Sequence, residues 1–235
     1  MGLKTFYTLV LMIFFSLNLI DAKEIQPKIN AKTEVGKIDK NDKNDKTDKI
    51  VILGDSVTDG YGLVTEKAYP ALLQKKLQKA FPKLSIIPSA ISGSVTASAH
   101  SRLQWLIKHE KDMKGVMVVL GGNDLMRGIK PETIEKGYEK LLKVAQEAKL
   151  PVLLATMPIP MNYDAYRPQL ENIYKNLGNN KNVTILKDFL KGIIGVAALN
   201  QTDGIHPNEV GHELIIKNIN DQVVTWITKI KKETL

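Results

Sequence analysis

The sequence predicts an α/β domain: a three-layer α/β/α sandwich around a central, mostly parallel five-stranded sheet. Two observations predict it. From Ile50 to the carboxyl terminus, short β-rich apolar runs alternate with longer helical patterns. The runs also lack a polar face, as strands buried on both sides of a parallel sheet require. Alternation of this kind implies βαβ units with helices covering both faces of the sheet. No internal repeat divides the stretch, so one doubly wound domain accounts for it.

The elements follow in order. Lys49–Leu53 (KIVIL) is the first predicted strand, and Ala68–Phe81 the helix after it. Leu84–Pro88 (LSIIP) and Ser98–His109 form the next pair, then Val116–Leu120 (VMVVL) and Pro131–Lys149. Pro131 suits a first helical turn, where its missing N–H is not needed, and Pro151 lies just past the end of that helix. Val152–Thr156 (VLLAT) leads to helix Ala165–Asn179, and Val183–Leu186 (VTIL) precedes a last helix over Asn208–Lys229.

Two segments precede this domain. Met1–Ala22 reads as a secretory signal peptide, with Lys4 at its start, the apolar run Thr5–Ile20 and a small residue, Ala22, at a cleavage point. The run is shorter than the ~20 residues of a membrane-spanning helix, so export, periplasmic or secreted, is expected. An uncleaved amino-terminal anchor is the alternative. Residues 23–49 contain KIDKNDKNDKTDK and almost nothing able to enter a core, so they read as a charged, solvated tether. The folded domain is then expected over 50–235.

Composition narrows the function classes. A hydrophobic fraction of 43% excludes wholesale disorder, and the absence of Cys excludes a disulfide framework, an iron–sulfur cluster, a thiolate zinc site and a cysteine nucleophile. The net charge is +8. The tether, with eight Lys against six acidic residues, takes two of those charges and the leader is neutral, leaving +6 on the domain. That charge is spread over many helix faces without aromatic interleaving or a recognition-helix signature, which argues against nucleic acid. Peripheral contact with acidic membrane lipid is a better use of it.

In a doubly wound domain, ligands bind beyond the carboxyl ends of the strands. Gly54-Asp55-Ser56 follows the first strand, placing a serine there; a helix cap by Asp55 or Ser56 is the simpler reading of the tripeptide. Ser92-Gly93-Ser94 follows the second and Gly121-Gly122-Asn123-Asp124 the third. Backbone N–H groups at glycines and the Asn123 amide are donors suited to an oxyanion, though each stretch also reads as an ordinary turn. Asp203-Gly204-Ile205-His206-Pro207 precedes the last helix, where a carboxylate can fix the imidazole tautomer that leaves the other nitrogen as a base. His100, His109 and His212 read as solvated helix residues without a role. His206 and His212 are poorly placed for a metal, so no metal or organic cofactor is expected. The absence of G-x-S-x-G disfavours the α/β-hydrolase fold, and the absence of G-x-G-x-x-G and G-x-x-x-x-G-K-[ST] disfavours a flavin or nucleotide binder.

The order Ser, Gly, Asn, Asp-x-x-His at successive strand ends resembles the SGNH (GDSL-type) hydrolase family over nearly all of Ile50–Trp226. LGDSVTDGYG, YPALLQKKL, LGGNDLMRGIKP, MPIPMNY and DGIHPNEVG are similar to its bacterial exported branch of arylesterases, thioesterases and lysophospholipases. The resemblance implies a flavodoxin-like sheet and a serine esterase that forms an acyl-enzyme. Ser56 would be its nucleophile, His206 its general base and acid, and Asp203 the orienting carboxylate. The oxyanion donors would be the Ser56 and Gly93 N–H groups and Asn123. Gly93-Ser94-Val95 departs from that branch's Gly-Asp-Thr, and Asn is missing near Pro88, which predicts a less well-braced oxyanion loop. Apolar loops at Leu125-Met126 and at Ile159-Pro160-Met161 suggest walls for a medium or long acyl chain, so a small-molecule or lipid ester is the expected substrate. A carbohydrate O-deacetylase of the same family and an inactive binding module remain the alternatives. Oligomeric state is not legible.

Overall fold

In the computed structural model, residues 47–158 and 166–233 are described. The predicted signal peptide, nearly all of the predicted tether and the Ile159-Pro160-Met161 wall lie outside them. Five strands, β1 (Asp48–Gly54), β2 (Leu84–Ala90), β3 (Met113–Val119), β4 (Val152–Ala155) and β5 (Val183–Leu186), form one sheet in the order β2-β1-β3-β4-β5. Every adjacent pair is parallel. Helices α1 (Ser56–Asp59), α2 (Tyr69–Leu77), α3 (Ala99–His109), α4 (Gly122–Met126), α5 (Pro131–Glu147), α6 (Arg167–Gly178) and α7 (Glu209–Glu233) alternate with them. α2 packs with α7, and α5 with both α3 and α6, which puts one layer on each face.

The apolar runs become the middle of the sheet. Ile50–Leu53, Val116–Val119 and Val152–Ala155 are almost entirely removed from water, because helices cover both faces. β2 is the exception. It forms an edge, its inward Leu84 and Ile86 are buried, and Pro88 is exposed. Pro88 is accommodated there because an edge strand has an unpaired side. β3 starts at Met113 rather than at the predicted Val116: Met113 and Gly115 pair with Lys49 and Ile50 across a register shift. The charge of Lys114, which lies 3.7 Å from Asp48, hides that extension in the sequence. β1 likewise begins at Asp48, so the last residues assigned to the tether are strand. The short helices α1 and α4 fall below the length at which periodicity signals a helix.

His212 corrects the reading of a solvated side chain. It is 1% exposed. Its Nδ1 accepts the Tyr69 N–H at 2.9 Å, satisfying a first-turn amide of α2, whose N-cap Ala68 has no side chain to offer. The ring also stacks on Tyr69. Burial pulls its pKa down to about 4. Below the unfolded pKa of ~6.5 the unfolded chain binds the proton first, so stability is full above that pH and falls as pH drops toward 4, by roughly 3 kcal/mol. Urea midpoints of the protein and of His212→Gln should therefore diverge in slope between pH 6.5 and 4; equal slopes would remove His212 as the cause.

The strand order reverses beside β1: β2 lies to one side of it and β3 to the other. A crevice opens at such a switch point, outside the carboxyl ends of the strands that flank it.

Candidate active site

β1 ends at Gly54 and α1 begins at Ser56. A Cβ on Gly54 would collide with the Thr58 side chain, so only glycine lets the chain turn this tightly into α1. Asp55 caps the helix, its Oδ1 accepting the Val57 N–H at 3.1 Å. Ser56 is the first helical residue, 9% exposed, and its N–H is a first-turn amide without an intrahelical acceptor.

The Asp203 loop brings the imidazole to this serine. The loop is closed by an Asn200–Pro207 bridge, by Gln201 N–H on the His206 carbonyl at 2.8 Å and by Gly204 N–H on the Gln201 carbonyl at 2.9 Å. Inside it, Asp203 Oδ1 accepts the N–H groups of Ile205 and His206 at 2.9 and 3.0 Å. Asp203 Oδ2 lies 2.7 Å from His206 Nδ1, and His206 Nε2 lies 2.9 Å from Ser56 Oγ. The His206 N–H and imidazole, with the Ile205 N–H, hold the Asp203 carboxyl down at about 2. A carboxylate only accepts, so Nδ1 carries the ring proton and Nε2 accepts from the Ser56 hydroxyl. The Tyr61 ring lies against the imidazole, centroids 4.6 Å apart, and Gln201 Nε2 donates to the Tyr61 and Pro207 carbonyls, joining the two loops.

The donors form a second group. Asn123, in α4 after β3, is 8% exposed, and its Nδ2 donates to Asp55 Oδ2 at 3.1 Å. Asp55 thus caps α1 through one oxygen and fixes the Asn123 carboxamide through the other. Burial raises its pKa above the ordinary carboxylate value, against the pull of Val57 N–H, Asn123 and His206. Spacing gives no hint of this pair. Gly93 adopts φ 77, a left-handed conformation that favours glycine, on the loop leaving β2. It does not line the crevice, but the loop is anchored beside the serine through Ile91 N–H on the Gly54 carbonyl at 3.2 Å.

The loop leaving β2, which the motif departures predict to be less well braced, is held by several side-chain hydrogen bonds. The Thr96 N–H and hydroxyl donate to Asp124 at 3.0 and 2.7 Å. Arg102 of α3 reaches over the loop's base, donating to the Gly54 carbonyl, Ser94 Oγ and the Ser89 carbonyl at 3.0, 3.1 and 2.6 Å. Ser94 and Thr96 therefore tie this loop to Arg102 and Asp124. Neither Asp124 nor Arg102 stands out in the sequence, although Asp124 directly follows the asparagine.

Ser56, Asn123 and His206 open onto a crevice of about 220 Å³. Its other walls are mainly apolar: Val119 at the end of β3, Leu125 and Met126 of α4, Met157 and Pro158 after β4, and Phe189, Leu190 and Ile194 after β5. Of the walls suggested by sequence, Leu125 and Met126 line it, and Ile159, Pro160 and Met161 lie beyond the described residues that reach it. Two buried tyrosines hold the backbone next to these walls, Tyr138 donating to the Leu120 carbonyl at 2.7 Å and Tyr174 accepting the Met157 N–H at 3.2 Å. Among the described residues, no three His, Cys, Asp or Glu side chains are grouped to hold a metal ion.

A family model described as the GDSL-like lipase/acylhydrolase family matches residues 52–214. The chain belongs to this family. It is an ester-hydrolysing enzyme with the fold of the SGNH hydrolases. It is 30% identical over 171 residues to a protein named esterase TesA from Pseudomonas aeruginosa, covering 72% of this chain and 85% of that one. It is 35% identical over 160 residues to the Escherichia coli K12 thioesterase 1/protease 1/lysophospholipase L1, covering 68% and 75%. The crystal structure of a psychrotrophic esterase EstA from Pseudoalteromonas, inhibited by monoethylphosphonate, superposes with a TM-score of 0.71 at 28% identity, covering 77% of this chain and 99% of that one.

Proposed function

We propose that this family member is an exported serine esterase that works through Ser56, His206 and Asp203. The observation carrying the proposal is the relay of two short hydrogen bonds, 2.7 and 2.9 Å, from Asp203 through His206 to Ser56 at the mouth of an apolar crevice. Ser56 Oγ attacks the ester carbonyl as its proton passes to His206 Nε2. The carbonyl oxygen, now an anion, is received by the Ser56 N–H and by Asn123 Nδ2, with the Gly93 N–H of the neighbouring loop as the third donor that the family resemblance assigns. His206 then protonates the departing alcohol or thiol, leaving an acyl group on Ser56. Water attacks that acyl-enzyme with His206 again taking the proton, and the acid and free serine are released. Asp203 stays ionised throughout, since its pKa of about 2 lies far below working pH.

The acyl chain is assigned to the crevice, where Leu125, Met126, Met157 and Phe189 offer apolar contact over its length. Met side chains adapt to chains of different shape, which supports medium to long acyl groups over acetate. Residues 1–22 would direct export, and the charged segment up to 47 would separate the catalytic domain from them.

Turnover of p-nitrophenyl esters of graded chain length by the protein and by Ser56→Ala tests this reading. Ser56-dependent rates that rise from acetate to longer acyl groups are expected. A maximum at acetate would instead indicate a deacetylase. No Ser56-dependent turnover on any ester would indicate a binding module.

A further inference from the structure

Large apolar side chains left in water are not scattered over this domain. Among the described residues nine are more than two-fifths exposed: Tyr61, Val64, Ile91, Trp105, Met126, Ile194, Val196, Ile205 and Val210. All but Trp105 lie on segments that leave the carboxyl ends of the strands, around the catalytic crevice. Tyr61 and Val64 follow α1, Ile91 follows β2, Met126 ends α4, and Ile194 and Val196 follow β5. Ile205 is in the Asp203–His206 loop and Val210 in the first turn of α7. Local contacts join several of these segments. Tyr61 lies on His206, and an ion pair of 2.9 Å between Lys67 and Glu209 ties the Val64 segment to the Val210 segment.

Clustered exposed apolar surface marks a binding face, whereas single exposed hydrophobes do not. Three of these residues, Met126, Ile194 and Ile205, also line the crevice, so exposed apolar side chains stand at the mouth of the cavity beside Ser56. An acyl chain leaving a lipid assembly would meet these side chains on entering the cavity. The charge fits the same occupant. Exposed Lys67, Arg127, Lys130 and Lys191 stand on these segments with Asp59, Glu66, Asp188 and Glu209 among them. The face itself is therefore close to neutral, which permits close approach, while the domain's excess of +6 draws it to an anionic surface from a distance.

We infer that this rim is a lipid-docking surface, on which the enzyme seats itself with the crevice mouth against an anionic bilayer and takes its ester directly from it. The inference rests on the serine-esterase reading but not on its chemistry, because docking precedes turnover. The chain has no Cys, so single probes can be placed at will on the full-length protein. Val64→Cys and Val210→Cys, each in a Ser56→Ala background and carrying an environment-sensitive dye, should shift to the blue on adding equimolar phosphatidylglycerol–phosphatidylcholine vesicles. A dye at Lys181→Cys, exposed on the loop entering β5 at the opposite end of the sheet, should not. This pattern separates rim docking from attachment through residues 1–22, which would leave all three probes in water.

With Ser56 restored, Val64→Ser/Val210→Ser should lower hydrolysis of a vesicle-embedded long-chain ester by about tenfold or more. Its rate on soluble p-nitrophenyl butyrate should stay within about twofold, since neither residue lines the crevice. Rim probes that stay unshifted with vesicles would overturn the docking surface. So would rim probes that shift without vesicles as protein concentration rises, which would assign the face to a second copy of the chain. Either failure alongside intact, Ser56-dependent turnover of the soluble ester leaves the esterase reading standing. Loss of soluble turnover itself would fall on that reading.

Discussion

Ser56→Ala is expected to lower kcat on a soluble p-nitrophenyl ester by about 10⁴-fold or more, with the folded structure intact. The hydroxyl is small, 9% exposed, and its described partner is His206 Nε2, so its removal leaves no cavity of consequence. His206→Ala should reach a similar floor. The double variant should fall little further, because nucleophile and base act as one unit and their losses do not add. Activity remaining in each single variant is what donor groups and crevice binding supply without a covalent step. Steady-state rates of the three variants, with thermal melts as the folding control, check this. Near-native rates in Ser56→Ala would remove it as nucleophile.

Asn123→Ala should cost about 10²–10³ in kcat, or ~2.7–4 kcal/mol, with a much smaller change in KM. The reason for the split is that an oxyanion exists only in the transition state and intermediate, so a donor aimed at it adds little to ground-state binding. Asp55 holds the same amide through Oδ2. Asp55→Ala should therefore imitate part of the Asn123→Ala loss in kcat, and adding it to Asn123→Ala should cost less than it does alone. Only a twofold effect at Asn123 would exclude it from the oxyanion site.

Much of this site is legible in the sequence because its chemistry sits at strand ends, and strand ends are visible wherever an apolar run stops. Ser56, Asn123, Asp203 and His206 each follow such a boundary or a tight Gly–Pro loop, so residue type and place together single them out. What escapes the sequence is the support around them. Asp55 and Asn123 meet across the gap between β1 and β3, Arg102 reaches from mid-α3 to two strand ends, and His212 caps α2 from α7. Each contact depends on which strands and helices are neighbours, and periodicity does not encode that order. His212 reads as solvated because it stands in the early turns of the last helix, whereas its burial comes from α2, distant in sequence. The brace at Ser94 and Thr96 escapes the sequence for another reason. Motif comparison registers the missing carboxylate in the loop but not the bonds that Thr96 makes to Asp124 and Ser94 to Arg102.

The central claim is that an acyl group passes through Ser56. Rapid mixing with p-nitrophenyl butyrate, followed by an acid quench, intact mass and peptide mapping, tests it most directly. A p-nitrophenol burst approaching one equivalent of enzyme is expected when deacylation is slower than acylation, with one added butyryl group on the peptide that carries Ser56. Neither should be present in Ser56→Ala. Full turnover with the butyryl group on another residue, or an unchanged burst in Ser56→Ala, would contradict it.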